Sequence, residues 1–258
     1  LHTRSYLSTP MQHILATAIK AAREAGDLLR SEFGSSPDVA AAYRNDIKLE
    51  LDVRSQDLIS RIILHAFPDH AIYGEEGVSG NQQSPWQWII DPIDGTVNYF
   101  YGIPHFCISI AARLGEEIQV GVILDPMRNE LWETYLGGPT LLNGEPVRVS
   151  SRTRLEDAAV SVGMTKDASR MSAATATLEK FVHRVRKCRL MGSAALDLAY
   201  VASGRLDAYI ESAVNLWDIA AGKILLENAG GRLEITPSAG NPDKIALRAW
   251  NGLIDINI

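Results

Sequence analysis

Residues 86–98 read Trp-Gln-Trp-Ile-Ile-Asp-Pro-Ile-Asp-Gly-Thr-Val-Asn. The first five form a short apolar run bounded by turn residues, which is a strand signal. Two carboxylates, Asp91 and Asp94, follow at its carboxyl end, held by Pro92 and trailed by Gly95 and Thr96. If a helix starts there, Gly95 and Thr96 present backbone N–H groups without intrahelical partners, and such groups favour phosphate. A single carboxylate at a strand end is most often a turn residue or a cap. Two of them in this setting read as hard oxygen ligands, suited to Mg²⁺ rather than Zn²⁺.

On the amino-terminal side, Met11 to Phe33 carries apolar residues at three- and four-residue spacing, the period of an amphipathic helix. Asp52 to about Phe67 repeats the pattern, with Asp52 where an N-cap would stand. His70 to Tyr73 reads as the strand before Trp86, and Gly74-Glu75-Glu76-Gly77 closes it. On the carboxyl side, His105 to Arg113, Gln119 to Leu124 and Leu131 to Tyr135 read as closely spaced strands. Leu142 to Val149 contains the hairpin signal Asn143-Gly144.

The second half alternates strands and helices. Strands are expected at Ala158–Val162, Arg189–Met191, Leu206–Ile210, Arg232–Thr236 and Ile245–Trp250. Helices are expected at Ala168–Arg186, Ser193–Ala202 with Gly204 just past the end, and Leu216–Ala229 closed by Gly230-Gly231. Alternation at this spacing points to an α/β layer. The boundary near Ser150 divides the chain into an α+β part, 11–150, and an α/β part, 151–258. A third acidic feature, Trp217-Asp218, opens the last helix.

The chain has 258 residues, 46% of them hydrophobic and 22% charged, which excludes a disordered polymer. The net charge of −6 makes nucleic acid and anionic membrane poor default partners. The short basic run Arg184-Val185-Arg186-Lys187 is too small to change that. Two cysteines exclude a disulfide scaffold and a cysteine-based zinc site, and they fit a reduced, cytoplasmic home. Cys107, inside an apolar run, reads as a small buried hydrophobe. No apolar stretch is long enough to span a membrane, and the first ten residues, without a secretory apolar core, read as a tail.

Together, Gly74-Glu75-Glu76, the DPIDGTVN stretch at 91–98, the WDIAAG stretch at 217–222 and Ala229-Gly230-Gly231 resemble the signatures of the inositol monophosphatase family. Its members are Mg²⁺-dependent, lithium-sensitive sugar phosphatases, usually homodimers. Their fold is a layered α-β-α-β-α sandwich of the fructose-1,6-bisphosphatase type. The resemblance implies two to three Mg²⁺ ions per site. Glu75, Asp91 and the Ile93 carbonyl would hold the first, Asp91, Asp94 and Asp218 the second, and Glu75 with waters a weaker third. Gly95 and Thr96 would bind phosphate, and Asp52 would pair with the Thr96 hydroxyl. Glu211 and the loop Gly192-Ser193-Ala194 would meet the sugar.

The implied reaction is hydrolysis of a small phosphate ester by in-line attack of a metal-activated water near Glu75, Thr96 and Asp52. It needs no Ser, Cys or His nucleophile, so His65, His70, His105 and His183 are expected to be structural or exposed. Inositol 1-phosphate is the first substrate implied. Histidinol phosphate, fructose 1,6-bisphosphate and 3′-phosphoadenosine nucleotides are handled by relatives. A regulatory binding protein with secondary catalysis is the competing class. Departures from the family pattern are Leu49-Glu50-Leu51 ahead of Asp52, Val97 for a frequent threonine, and Asn215 where some members carry histidine; Glu50 is expected to be exposed.

Overall fold

Two amphipathic helices, α1 (Thr9–Glu32) and α2 (Glu50–Ala66), lie together on one face of a large sheet. The computed structural model describes residues 9–35, 39–43, 46–164, 168–238 and 241–257. Helix α1 buries Ile14, Ala18, Ala21, Ala22, Ala25 and Leu29, the stripe that the sequence period foretells. It starts at Thr9, so Thr9 and Pro10 belong to the helix and not to a tail; proline is tolerated in a first turn, where its missing N–H has no intrahelical partner. Residues 1–8 lie outside the described residues.

A two-stranded hairpin, β1 (Val39–Tyr43) and β2 (Asp46–Leu49), precedes α2. The N-cap of α2 is Leu49, and Asp52 stands three residues further in. Its carboxylate reaches back to accept the Leu49 N–H at 2.7 Å, a capping contact made from inside the first turn. That corrects the expectation of Asp52 as the N-cap itself.

Eight strands follow: β3 (Ala71–Gly74), β4 (Gly77–Gly80), β5 (Trp86–Asp94), β6 (Cys107–Leu114), β7 (Glu117–Asp125), β8 (Glu130–Tyr135), β9 (Leu141–Leu142) and β10 (Glu145–Pro146). Their order across the sheet is β10-β9-β8-β7-β6-β5-β3-β4. Only β3 and β5 run parallel; the other pairs are antiparallel. A short helix, α3 (Thr96–Phe100), leaves the end of β5. Asn143 and Gly144, both at positive φ, turn the final hairpin as their dipeptide signals.

The second sheet has the order β12-β11-β13-β15-β14, from β11 (Ala159–Val162), β12 (Lys187–Arg189), β13 (Ala208–Val214), β14 (Arg232–Ser238) and β15 (Asn241–Trp250). Three helices accompany it: α4 (Ala168–Val182), α5 (Ala194–Ala202) and α6 (Leu216–Asn228). Strand β12 lies two residues earlier than the expected Arg189–Met191, because its parallel register pairs Lys187 with Ala159 and Arg189 with Ser161. Helix α4 accordingly stops at Val182, short of Arg186.

Alternation along the strands separates three apolar cores. Trp88, Ile90, Ile108, Ile110, Val120 and Val122 face α1 and α2. Ile89, Cys107, Ala111, Ile123 and Trp132 face the other way, onto α5, α6 and the inner face of the second sheet, where Tyr209, Leu247 and Ala249 meet them. Val160, Val162 and Ala208 pack outward against Phe181 of α4 and Trp250. The layers are therefore helix, sheet, helix, sheet, helix, the expected sandwich. No described helix is long and apolar enough to cross a membrane.

Candidate active site

The two aspartates after Ile90 are three residues apart, so an unbroken strand would point them to opposite faces. A β-bulge prevents this. Asp91 pairs with Ser109 and Asp94 with Cys107, so Pro92 and Ile93 together oppose the single residue Ile108. Ser109 and Cys107 share a face, and both aspartates lie on it, the face covered by α5 and α6. Pro92, which has no N–H to offer the ladder, suits a bulge. Asp91, 2% exposed, accepts the Ile93 N–H at 3.1 Å, which folds the bulge onto its own carboxylate.

The strand then turns at Gly95, whose φ of +101 places it in the left-handed region. A Cβ there would also stand 3.1 Å from the His105 carbonyl oxygen and 3.3 Å from that of Gly192. Thr96 opens α3, and its hydroxyl donates to the Ile93 carbonyl oxygen at 2.9 Å. Asp52 Oδ1 lies 3.4 Å from the same hydroxyl, the longer of the two contacts. Asp52, 2% exposed, is thus brought from α2 to the expected partner, Thr96.

Asp94 is tied to the second half of the chain. Ser193, the N-cap of α5, donates its hydroxyl to Asp94 Oδ2 at 2.7 Å, and the Ala195 N–H donates to the same oxygen at 2.6 Å. A carboxylate at a helix amino terminus meets unpaired N–H groups and the positive end of the helix dipole. Ser193 therefore faces Asp94, with Gly192 and Ala194 on either side of it. Asp218 caps α6 from inside its first turn, Oδ2 accepting the Asn215 N–H at 2.6 Å and the Asn215 side-chain amide at 3.2 Å.

Glu75 and Glu76 form the turn from β3 to β4. Gln56, buried on α2, holds that turn, accepting the Glu76 N–H at 2.9 Å and donating to the Gly77 carbonyl oxygen at 3.1 Å. Glu75 itself is exposed, and its N–H donates to the Ile90 carbonyl oxygen at 3.1 Å.

Electrostatics links these residues to Asp91. Burial pushes the Asp91 carboxyl well above the ordinary carboxylate range, and the negative charges of Glu75, Asp94, Asp218 and Asp52 push it in the same direction. The charges named in that set are all negative. Among the described residues no three His, Cys, Asp or Glu side chains lie close enough to share an ion as they stand. Like charges pinned by separate hydrogen bonds stand apart in this way. The donors are carboxylates and one carbonyl, a set that suits a hard divalent cation, and the accumulated negative charge calls for one.

Glu211 lies on β13. The buried Tyr209 hydroxyl donates to Glu211 Oε2, and a Cβ on residue 163 would fall 1.9 Å from that oxygen, so glycine at 163 leaves the carboxylate its place. Burial, then the Glu211 charge, pushes the Tyr209 hydroxyl well above its ordinary pKa, which keeps it a donor. Tyr209, Gly163 and Gln56 are absent from the sequence candidates. Tyr209 has a legible signal, its two-residue spacing from Glu211 on one strand; Gly163 and Gln56 act through contacts distant in sequence.

The expected bystanders behave as such. His65 and His183 are exposed, as is Glu50. Trp88 donates its indole N–H to His70 Nδ1 at 3.0 Å, and His105 is buried. Cys107 is fully buried.

The sequence pattern of the inositol monophosphatase family matches residues 10–254. The chain belongs to that family. It is 38% identical to Nus factor SuhB of Pasteurella multocida over 225 residues, 86% of this chain and 84% of that one. It is 35% identical to an inositol monophosphatase of Mesembryanthemum crystallinum over 232 residues, 87% and 86% of the two chains. Among solved structures, the Thermotoga maritima inositol monophosphatase TM1415 superposes with a TM-score of 0.83 at 36% identity, over 93% of this chain and 92% of that one. Family membership supports a phosphatase with a metal requirement.

Proposed function

We propose that this protein hydrolyses the phosphate monoester of a small polyol or sugar, with inositol 1-phosphate the first substrate to test. The observation that carries the reading is the bulge at Pro92-Ile93, which sets Asp91 and Asp94 on one face of the strand, where the charges of Glu75, Asp94, Asp218 and Asp52 act on Asp91. Glu75, Asp91, the Ile93 carbonyl, Asp94 and Asp218 would hold two to three Mg²⁺ ions. Bound there, Mg²⁺ supplies a nucleophilic water at neutral pH and neutralises charge on the phosphoryl and leaving oxygens.

The remaining work falls to the chain. Backbone N–H groups at Gly95 and Thr96 receive phosphate oxygens. Thr96 Oγ1, between the Ile93 carbonyl and Asp52, orients the attacking water and passes its proton toward Asp52 Oδ1. Ser193 and the Ala195 N–H fix the direction of Asp94 before substrate arrives, so little reorganisation accompanies reaction. Glu211, held by Tyr209, accepts a hydrogen bond from a substrate hydroxyl and selects for polyols. The same family reading assigns lithium inhibition and a homodimer, and the sparse cysteines favour a cytoplasmic home.

The test is phosphate release from inositol 1-phosphate, histidinol phosphate, fructose 1,6-bisphosphate and 3′-phosphoadenosine nucleotides, with Mg²⁺, with excess chelator and with lithium. Turnover should require Mg²⁺ in the millimolar range, as for a site that keeps several waters on the ion. Full turnover in chelator removes the metal role. The relatives named Nus factor SuhB favour a second reading, a regulatory binding protein with secondary catalysis. A purified, folded protein that releases phosphate from none of these esters would select it.

A further inference from the structure

Asn98, the last residue of the DPIDGTVN stretch, has no role in the chemistry above. It lies on α3, one turn beyond the phosphate-facing Gly95-Thr96. Its side-chain amide donates to the His105 carbonyl oxygen at 2.8 Å and to the Met191 carbonyl oxygen at 2.9 Å. A primary amide has two N–H groups, so both are committed. Met191 is 93 positions away in sequence, in the segment that leads into α5. The Gly192 carbonyl oxygen also lies near the amide nitrogen, at 3.5 Å.

The contact is tight on both sides. Gly192 has a φ of +82, and a Cβ there would stand 3.1 Å from the Asn98 amide nitrogen. The Gly192 carbonyl oxygen in turn crowds the Cβ position of Gly95 at 3.3 Å. The segment Met191–Ala195 is thus fastened to the strand end at two points. Asp94 holds Ser193 and Ala195 at one point, and Asn98 holds Met191 at the other.

We infer that Asn98 is a positioning residue that fixes the distance between the phosphate-binding turn, Gly95-Thr96, and the polyol-facing loop, Gly192-Ser193-Ala194. This rests on the proposed phosphatase reading and adds a residue to it. A substrate whose phosphate meets one loop and whose hydroxyls meet the other senses that distance. An ester with no hydroxyls to place does not. Asn98 therefore sets polyol selectivity without touching substrate.

The experiment compares Asn98→Ala and Asn98→Asp with the parent on two esters, inositol 1-phosphate and p-nitrophenyl phosphate. The aspartate keeps the size of the side chain but faces carbonyl oxygens with no hydrogen to donate. Both variants should raise KM for inositol 1-phosphate by about tenfold or more, the ratio that corresponds to about 1.4 kcal/mol. kcat/KM for p-nitrophenyl phosphate should change by less than about threefold, on the same scale. Parallel losses on both esters, or no loss on either, would overturn the inference.

Amide hydrogen exchange across residues 191–197 supplies an independent readout. It should speed up in Asn98→Ala and in Gly192→Ala, which attacks the same contact from the opposite side. Unchanged exchange there overturns the inference even if activity falls. Should the parent hydrolyse neither ester, the phosphatase reading fails by itself, and the exchange measurement still decides whether Asn98 fastens the two loops. Should Asn98→Ala fail to fold, Asn98→Asp carries the same comparison.

Discussion

The hydroxyl of Ser193 donates to the Oδ2 oxygen of Asp94 at 2.7 Å, joining the start of one helix to the end of a strand 99 positions earlier. The same hydroxyl accepts the Leu196 N–H at 3.4 Å, so one side chain caps α5 and orients a carboxylate.

Ser193→Ala removes both contacts. Loss of the cap should cost roughly 1 kcal/mol of stability. Asp94 then keeps the Ala195 N–H and the Cys107 thiol at 3.8 Å but loses the Ser193 hydroxyl, and more Mg²⁺ should be needed for half-maximal turnover. Thermal melting and a Mg²⁺ titration of activity check the two effects separately. A normal Mg²⁺ requirement would show that Ser193 serves only the helix.

Thr96 and Asp52 act as a unit in the proposed reaction, although the Thr96 hydroxyl is closer to the Ile93 carbonyl. Thr96→Ala and Asp52→Asn should each slow turnover by about 10² or more, the usual scale of positioned proton transfer. The double variant should be little worse than either single one, since groups acting together are not additive. Asparagine can still accept the Leu49 N–H, so Asp52→Asn should spare the start of α2. Losses that multiply in the double variant would assign the two residues independent roles.

Asp197 gives a pH prediction outside the metal ligands. It is 2% exposed on α5, its Oδ2 accepts the Ser161 hydroxyl at 2.8 Å, and its Oδ1 is buried without a hydrogen-bond partner among the described residues. Burial pushes its carboxyl well above the ordinary 3.8, and the charges of Asp94 and Glu211 add to the rise. The folded state therefore keeps a proton that the unfolded chain releases. Its stability contribution is full below about pH 3.8 and is lost as pH rises through the folded pKa. Asp197→Asn keeps an acceptor for Ser161 and removes the ionisation. Its melting temperature should exceed the parent's at pH 8 and fall less steeply between pH 5 and 8, because each tenfold difference in proton affinity between the folded and unfolded chain is worth about 1.36 kcal/mol. An asparagine variant less stable than the parent at pH 8, with the same slope, would refute this.

Asp207 gives a stability prediction. The buried carboxylate accepts from Arg152 Nε at 2.8 and 2.9 Å, from the Ala159 N–H at 2.7 Å and from the Ser150 hydroxyl. Asp207→Ala leaves the half-buried Ala159 N–H without its acceptor, while Arg152, 41% exposed, can turn to water. The cost should be about 2 kcal/mol, the scale of donors left without their acceptor. Denaturant unfolding measures it; a loss under about 1 kcal/mol, the scale of an exposed pair, would mean that water replaces Asp207.

Much of this architecture can be read from periodicity. The α1 stripe, the start of the strand at Trp86 and the helix at Leu216 follow from spacing alone; the two helices deviate by a residue or two at their ends, while the strand runs on four residues past Ile90 to Asp94. What escapes is set by partners remote in sequence. The bulge at Pro92-Ile93 exists only relative to Ile108, and no local pattern announces a two-against-one pairing. Strand β12 is fixed by its register with Ala159, which overrides the more apolar Leu190-Met191 nearby. Asp52 has the composition of an N-cap but sits three residues inside, because Leu49 is buried and its N–H needs an acceptor. The acidic motifs are legible because they are contiguous; Gln56 and Gly163, which hold them in place through contacts distant in sequence, are not.

The bulge also limits how the gene can vary. At unchanged length, a regular ladder would put Asp94 opposite Phe106, pointing into the apolar layer beneath α1 and α2, where an unpaired carboxylate is strongly unfavourable. Deleting Pro92 or Ile93 would instead leave Asp94 opposite Cys107 and on the face of Asp91, but without the local bend and added twist that a bulge supplies. The length of this segment therefore governs how Asp94 is aimed, and an insertion or deletion there should cost a working relative more than one in the surrounding loops.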